Sequence, residues 1–132
     1  MEWKSEYAIG ITEIDSQHQT IIQLVTEFEA AVDADSDWNS VQAMLARAEE
    51  FAKFHFATEE SMMQRFGYPR FLGHRSEHLF MLGRVADLQR EVLRKDVTID
   101  LIPRFRSWLL DHFLESDRHF AEFVRGQLHD KR

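Results

Sequence analysis

Six side chains that water would normally claim fall on the apolar stripes of four helical segments, and no other feature of the chain constrains its fold as much. In the first segment, apolar positions run Ile14, Ile21, Val25, Phe28, Val32, with His18 on the same stripe. The second reads Val41, Leu45, Ala48, Ala52, His55, Glu59, Met62, Phe66, and the third Phe71, His74, His78, Met81, Val85, Leu88, Val92. The fourth carries Leu101, Phe105, Trp108 and His112. Spacings that alternate three and four mark the buried face of a helix packed in a bundle. A carboxylate or imidazole left bare on such a face costs several kcal/mol (~3–5 when a charge loses its partner), so it must be paired or bound. A lone core histidine needs only a hydrogen bond, whereas six such residues on four segments need a common partner. A metal centre supplies one.

The breaks fit this pattern. With only two prolines and five glycines, long helices are easy to accommodate. After an irregular start (1–11), Thr12 followed three residues later by Asp15 reads as a capping box. The polar cluster Asp33 to Asp37 ends the first helix, and the second starts near Asp37. Gly67-Tyr68-Pro69 is a stop signal, the third helix ends at the basic Arg94-Lys95, and the fourth starts around Thr98 with Pro103 in or just after its first turn. Short connections predict an all-α, antiparallel up-down-up-down four-helix bundle with an irregular N-terminal segment. With 132 residues and no repeat, linker or low-complexity segment, residues 1–132 are expected to form one domain.

Composition excludes several functions. The absence of cysteine rules out disulfides, thiolate metal sites and Fe–S clusters. A net charge of −7 argues against nucleic acid or anionic membrane as partners. No stretch approaches the ~20 apolar residues of a membrane span. Residues 1–10 carry acidic groups and no apolar run, unlike a signal peptide, which gives an expectation of a cytoplasmic protein.

Spacing adds geometry to the polar residues. His55/Glu59 and His74/His78 are four apart, so each pair lies on one helical face, a turn apart, and can chelate from a single helix. His112 and Asp117 are five apart, about 140° out of register in a regular α-helix. The two could converge through a π-bulge, or if the helix unwinds before Asp117. His119 and His129 lack a partner at chelate spacing and read as surface histidines of a C-terminal tail. The acidic runs Asp33–Asp37 and Glu49-Glu50 read as solvated faces.

Together these residues resemble the hemerythrin family in its single-domain bacterial form. The likeness runs through Trp3, Gly10-Ile11, Ile14-Asp15-x-Gln17-His18, His55-x-x-x-Glu59, Gly67-Tyr68-Pro69, His74-x-x-x-His78 and Trp108-Leu109-x-x-His112-x-x-x-x-Asp117. It implies two iron ions with a bridging oxo or hydroxo group. His74, His78 and His112 would bind one iron, His18 and His55 the other, and Glu59 and Asp117 would bridge both. Such bridging calls for a local departure from α-helical bonding between His112 and Asp117, with Glu115 pointing away from the metals although it is in α-helical register with His112. With those ligands the three-histidine iron is saturated and the two-histidine iron keeps one open octahedral position, where the resemblance places dioxygen. Ferritin-like di-iron oxygenases use more carboxylates, in paired Glu-x-x-His motifs, and this chain has no Glu-x-x-His. Fewer carboxylates stabilise high-valent iron less, which favours reversible oxygen binding over enzymatic activation. Ile21, Phe56, Trp108 and Leu109 are similar to oxygen-pocket positions and are equally compatible with plain core packing. An oxygen carrier or store is therefore expected, and no particular protein recipient of the oxygen is indicated. An oxygen or redox sensor module and a weak di-iron oxidase or peroxidase are the alternatives. The absence of a sensor's output segment favours the carrier.

Overall fold

A computed structural model of the chain describes residues 2–34, 36–97 and 100–130, apart from the side chains of 129 and 130. Three long helices, α1 (Thr12–Asp33), α2 (Trp38–Phe66) and α3 (Phe71–Leu93), are followed by a composite fourth rod. That rod consists of α4 (Leu101–Asp111), a π-helical turn (His112–Asp117) and α5 (Arg118–Asp130) without interruption. Neighbouring helices pack in sequence order through short connections, giving the up-down-up-down antiparallel bundle. The N-terminal segment holds one 3-10 turn at Ser5–Tyr7 and is otherwise irregular. Among the described residues, no helix is long and apolar enough to cross a membrane.

The helix ends follow local chemistry. Asp37 caps α2: its carboxylate accepts from the Ser40 amide at 2.9 Å and the Ser40 hydroxyl at 2.8 Å. Gly67 ends α2 in the left-handed conformation at φ 67°, with the Tyr68 amide reaching back to the Met63 carbonyl at 2.8 Å, a Schellman closure. Lys95 takes the same role after α3 at φ 58°. The expected cap of α1 is different: Ile11 occupies the N-cap position and no side chain caps the helix. Thr12 is already helical, and the Asp15 carboxylate accepts instead from the amides of Ile9 (2.8 Å) and Gly10 (3.2 Å). The acid still reaches backwards, but it ties down the N-terminal segment and closes no box with Thr12. The expected start of α4 at Thr98 lies outside the described residues; Pro103 sits in the first described turn, where its missing N–H is harmless.

The stretch after Asp117 is no tail. It continues the rod as α5 and buries Phe120, Ala121 and Val124. His119 is exposed, as expected, yet its Nδ1 lies 2.6 Å from the Tyr68 hydroxyl. The side chain of His129 lies outside the described ones, as does Asp35 of the acidic run.

The buried residues fall into two apolar clusters. The larger includes Ile21, Phe28, Leu45, Phe56, Val85, Leu88, Phe105 and Leu109. The smaller holds Ile9, Ile14, Met63, Tyr68, Phe120, Ala121 and Val124. Each rod switches from one cluster to the other through polar residues: His18 lies between Ile14 and Ile21, and His55 with Glu59 between Ala52 and Met63. In the same way, His74 and His78 precede Met81, and His112 and Asp117 lie between Leu109 and Phe120. A polar layer thus crosses the bundle.

Candidate metal centre

All seven residues singled out as ligand candidates meet in that layer. His18, His55, Glu59 and Asp117 are fully buried, and His74, His78 and His112 are at most 4% exposed. They form two groups, Glu59/His74/His78/His112/Asp117 and His18/His55/Glu59/Asp117, in each of which the ligand-type atoms lie within 4.8 Å of one another. The two groups share both carboxylates.

The π-turn explains how Asp117 arrives. Bonding from i to i+5 makes five residues span little more than one turn, which brings Asp117 under His112. One Asp117 oxygen, Oδ1, lies 2.7 Å from His74 Nε2 and 3.2 Å from His112 Nε2, while Oδ2 lies 3.0 Å from His18 Nε2. Glu59 Oε1 lies 3.1 Å from His78 Nε2 and 3.3 Å from His55 Nε2. Glu115 is exposed and belongs to neither group.

Of these short distances only that between His78 Nε2 and Glu59 Oε1 makes a hydrogen bond. Both oxygens of Asp117, Glu59 Oε2, and the Nε2 atoms of His18, His55 and His74 are buried without a hydrogen-bond partner. They crowd toward shared points without donor–acceptor alignment. The imidazole tautomers sharpen the conflict. His78 Nδ1 lies 3.0 Å from Glu60 Oε2 and His112 Nδ1 3.0 Å from Glu77 Oε1, so each Nδ1–H donates to a carboxylate. Both Nε2 lone pairs then point inward, 3.2 Å apart. Two ring nitrogens at that distance need a proton or a metal ion between them. Imidazole and carboxylate atoms bound at about 2.1 Å to one ion sit about 3 Å apart when adjacent, the spacing found here. The residues therefore fit a pair of metal ions bridged by two carboxylates.

Protonation carries the same message. Burial pulls His74 and His112 toward the neutral form, but Asp117 and Glu59, helped at His112 by Glu77, outweigh it and raise them to about 9 and about 10. Burial and mutual repulsion push Glu59 up, yet His55 and His74 bring it well below the usual carboxylate range. Asp117, opposed by burial and held by His112, His18 and His74, is lowered likewise. The layer is built to hold positive charge against two buried carboxylates.

Aromatic rings wall the centre. Phe113 stacks on His18 with centroids 3.6 Å apart, and Phe56 stacks on His78 at 4.0 Å. Of the four pocket positions, Ile21, Phe56 and Leu109 line one cavity of about 30 Å³, bounded only by apolar side chains. Trp108 is elsewhere: half-buried and edge-on to Phe80 at 5.2 Å, it lines an outer groove with Glu77, Asp111 and His112. A second groove, lined by Tyr68, His74, Glu77, Glu115 and His119, opens beside His74. Sequence reasoning missed Glu60, Glu77 and Phe113, and placed Gln17 in the family likeness without giving it a role. Gln17 Oε1 lies 2.6 Å from His55 Nδ1, so it accepts that ring's outer N–H. Adjacency to a ligand candidate in the chain (Gln17-His18, Glu59-Glu60, Glu77-His78, His112-Phe113) was the signal available.

Comparison with known proteins agrees. Residues 9–124 match the family described as the hemerythrin HHE cation binding domain. The chain is 28% identical over 127 residues to a bacteriohemerythrin of Stenotrophomonas maltophilia (strain R551-3), covering 96% of this chain and 82% of that protein. It is 29% identical over 124 residues to a bacteriohemerythrin of Methylococcus capsulatus (strain ATCC 33009 / NCIMB 11132 / Bath), covering 92% and 94%. A crystal structure of wild-type hemerythrin superposes with a TM-score of 0.84 at 28% identity, covering 94% of this chain and 97% of that one. The chain belongs to the hemerythrin family.

Proposed function

We propose that this protein binds dioxygen reversibly, as a carrier or store, at two irons held in the polar layer. His74, His78 and His112 would hold one iron and His18 and His55 the other, with Glu59 and Asp117 shared between them. The observation that carries this reading is the sharing: two groups of ligand atoms have the same two carboxylates in common, with three imidazoles on one side and two on the other. The unequal count leaves the two-imidazole position short of ligands, and a small-molecule metal site needs such an opening. When bound, the iron pair supplies the electrons and the open coordination position that dioxygen requires.

The chain's own residues make the binding reversible. Five neutral imidazoles and only two carboxylates put little negative charge on the metals, which disfavours the higher oxidation states that drive oxygenation chemistry. Phe113 and Phe56 hold the rings of His18 and His78 in place and exclude water from those faces. Ile21, Phe56 and Leu109 border an apolar cavity whose volume of about 30 Å³ exceeds the ~10–15 Å³ a water-sized molecule requires. A cavity lined by apolar side chains stays dry, so it suits an apolar diatomic better than water. Such a site binds and releases its ligand without turnover, which is the behaviour of a binding protein and not of an enzyme.

The test is an optical spectrum with metal analysis, recorded on the reduced protein before and after air is admitted and again after the air is removed. The expected result is two irons per chain and a visible charge-transfer band that appears with air and disappears without it. One metal per chain, a pair of zincs after expression with ample iron, or a band that does not reverse overturns the reading.

A further inference from the structure

The five imidazoles differ in what holds their outer nitrogens, and the difference divides along the same line as the two metal positions. On the three-imidazole side, His78 Nδ1 donates to the Glu60 carboxylate and His112 Nδ1 to the Glu77 carboxylate, each at 3.0 Å. On the two-imidazole side, His55 Nδ1 donates to the neutral amide oxygen of Gln17 at 2.6 Å. His18 Nδ1 is buried and has no hydrogen-bond partner. Two outer carboxylates therefore support one position, and one amide supports the other.

A carboxylate on the far N–H of an imidazole fixes its tautomer and raises the basicity of the inward nitrogen, and loss of such a partner lowers metal affinity by about 10–100-fold. A neutral amide fixes the tautomer without adding charge. We infer that Glu60, Glu77 and Gln17 are positioning residues that make the two metal positions electronically unequal. Glu60 and Glu77 make the His74/His78/His112 position the one that retains its ion and favours the ferric state. Gln17 leaves the His18/His55 position with less donor charge, so it is the first to lose its metal and the first to accept an electron. In that reduction one external electron converts one ferric ion to ferrous, and the Nδ1 protons stay on their rings. The inference rests on the two-iron reading above and adds to it a direction that ligand count alone does not fix.

Burial ranks the three residues. Gln17 is 8% exposed, and the side chains of Glu60 and Glu77 are 24% and 48% exposed. Screening weakens a charge as exposure rises, so the expected order of effect is Gln17, then Glu60, then Glu77. Arg75, 3.9 Å from Glu60, and the Ser116 hydroxyl, 2.6 Å from Glu77, share those carboxylates and moderate them further.

The test uses the iron-loaded protein and three near-isosteric variants. Glu60→Gln and Glu77→Gln keep an acceptor oxygen of the same shape and remove its charge; Gln17→Glu adds one. Two quantities are read: the rate at which a chelator removes each iron, and the potential of the first one-electron reduction. Wild type should lose its irons in two phases. Gln17→Glu should slow the fast phase by roughly tenfold or more, Glu60→Gln should speed the slow phase by up to roughly tenfold, and Glu77→Gln should speed it less. If Gln17→Glu changes the ferric-to-ferrous affinity ratio tenfold, the first potential falls by about 59 mV. A purely structural role leaves all these quantities at wild-type values, because shape and hydrogen bonding are kept. Wild-type rates and potentials in all three variants, with two irons still bound, overturn the inference and leave the two-iron reading standing. Should a Glu variant not retain iron, Gln17→Glu decides alone. A wild-type protein that never holds two irons overturns the reading beneath it.

Discussion

On one side of the polar layer lie seventeen buried apolar residues contributed by all four rods; on the other, among the described residues, lie seven. The larger half is the repeating seam of the bundle, helix against helix, and it contains the apolar cavity bordered by Ile21, Phe56 and Leu109. The smaller half depends on pieces that are not bundle seams: Ile9 from the N-terminal segment, Tyr68 from the α2–α3 connection, and α5 beyond the π-turn. It is closed by polar bonds, with Asp15 accepting from Ile9 and Gly10 and Arg125 donating to the Ile9 carbonyl at 2.7 Å. The difference separates two tasks. The larger half stabilises the bundle and contains the apolar cavity. The smaller half fixes the N-terminal segment and α5 beside the two buried carboxylates, Glu59 and Asp117.

The strongest way to break this comparison is to remove the layer that both halves share. His78→Ala deletes one inward nitrogen and leaves Glu59, fully buried, with one fewer partner. Breaking a buried pair costs about 3–5 kcal/mol, and lost metal removes its binding free energy from folding as well. Metal analysis should find less than two irons per chain, and the melting temperature should fall by well over ten degrees. A variant with two irons and wild-type melting would show that His78 is no ligand.

Next in size is a matched pair of cavities. Phe28→Ala in the larger half and Phe120→Ala in the smaller each delete a ring at most 2% exposed. Such changes cost about 3–5 kcal/mol, less where the surroundings can collapse. Phe28 is enclosed by helices and should lie at the upper end. Phe120 borders Tyr68 and the irregular N-terminal segment, which can close inward, and should lie at the lower end. Denaturant unfolding of both variants measures the gap; equal costs would mean the smaller half is as rigid as the larger.

The seams that build the larger half were legible because a three-and-four spacing survives any neighbour: Ile21, Val25, Phe28, Val85 and Leu88 are buried as the stripes require. The smaller half was harder to read. Phe120 and Val124 keep the helical period of Leu109, 11 and 15 residues on, but only this short run of the period lies beyond Asp117, so the stretch reads as a tail until the π-turn is seen to carry the rod through it. Met63 is buried where the stripe suggested Met62, a one-residue drift over the 29 residues of α2. Thr12 lost its capping role to competition: Asp15 found amides at Ile9 and Gly10, and only the folded path of the N-terminal segment places them there. The outer partners of the imidazoles were not legible, since they join residues 38, 18 and 35 positions apart on different helices.

Proton binding sharpens the comparison at the layer itself. With the metal removed by chelation, His74 and His112 titrate near 9 and 10, above the ~6.5 of an unfolded histidine. Groups whose folded value is raised contribute stability that is complete below about 6.5 and lost as pH rises through the folded values. The stripped protein should therefore melt progressively lower from about pH 7 to pH 10. The iron-loaded protein should not follow it, because its imidazoles are ligands and bind no proton. Thermal melts of both forms across that range check the sign; a stripped protein that gains stability toward pH 10 would contradict it.

The smallest expected effect tests whether the smaller half can be loosened by itself. Gly10 has φ +95°, where an L side chain is strained, and a Cβ there would meet Arg125 Nη1. Gly10→Ala therefore costs about 1–2 kcal/mol of backbone strain. The flexible end of Arg125 can swing aside, at the expense of its bond to the Ile9 carbonyl, worth about 1 kcal/mol net. Both losses fall on the segment that covers Ile9, and neither touches a residue of the metal layer. Amide exchange reads this by position. The Ile9 and Gly10 amides, which donate to Asp15, should exchange faster in the variant, while amides of Val85 and Leu88 in the larger half keep wild-type protection and the iron content stays at its wild-type level. If protection falls equally at Val85 and Leu88, the halves open as one cooperative unit, and the polar layer couples them where the comparison holds them apart.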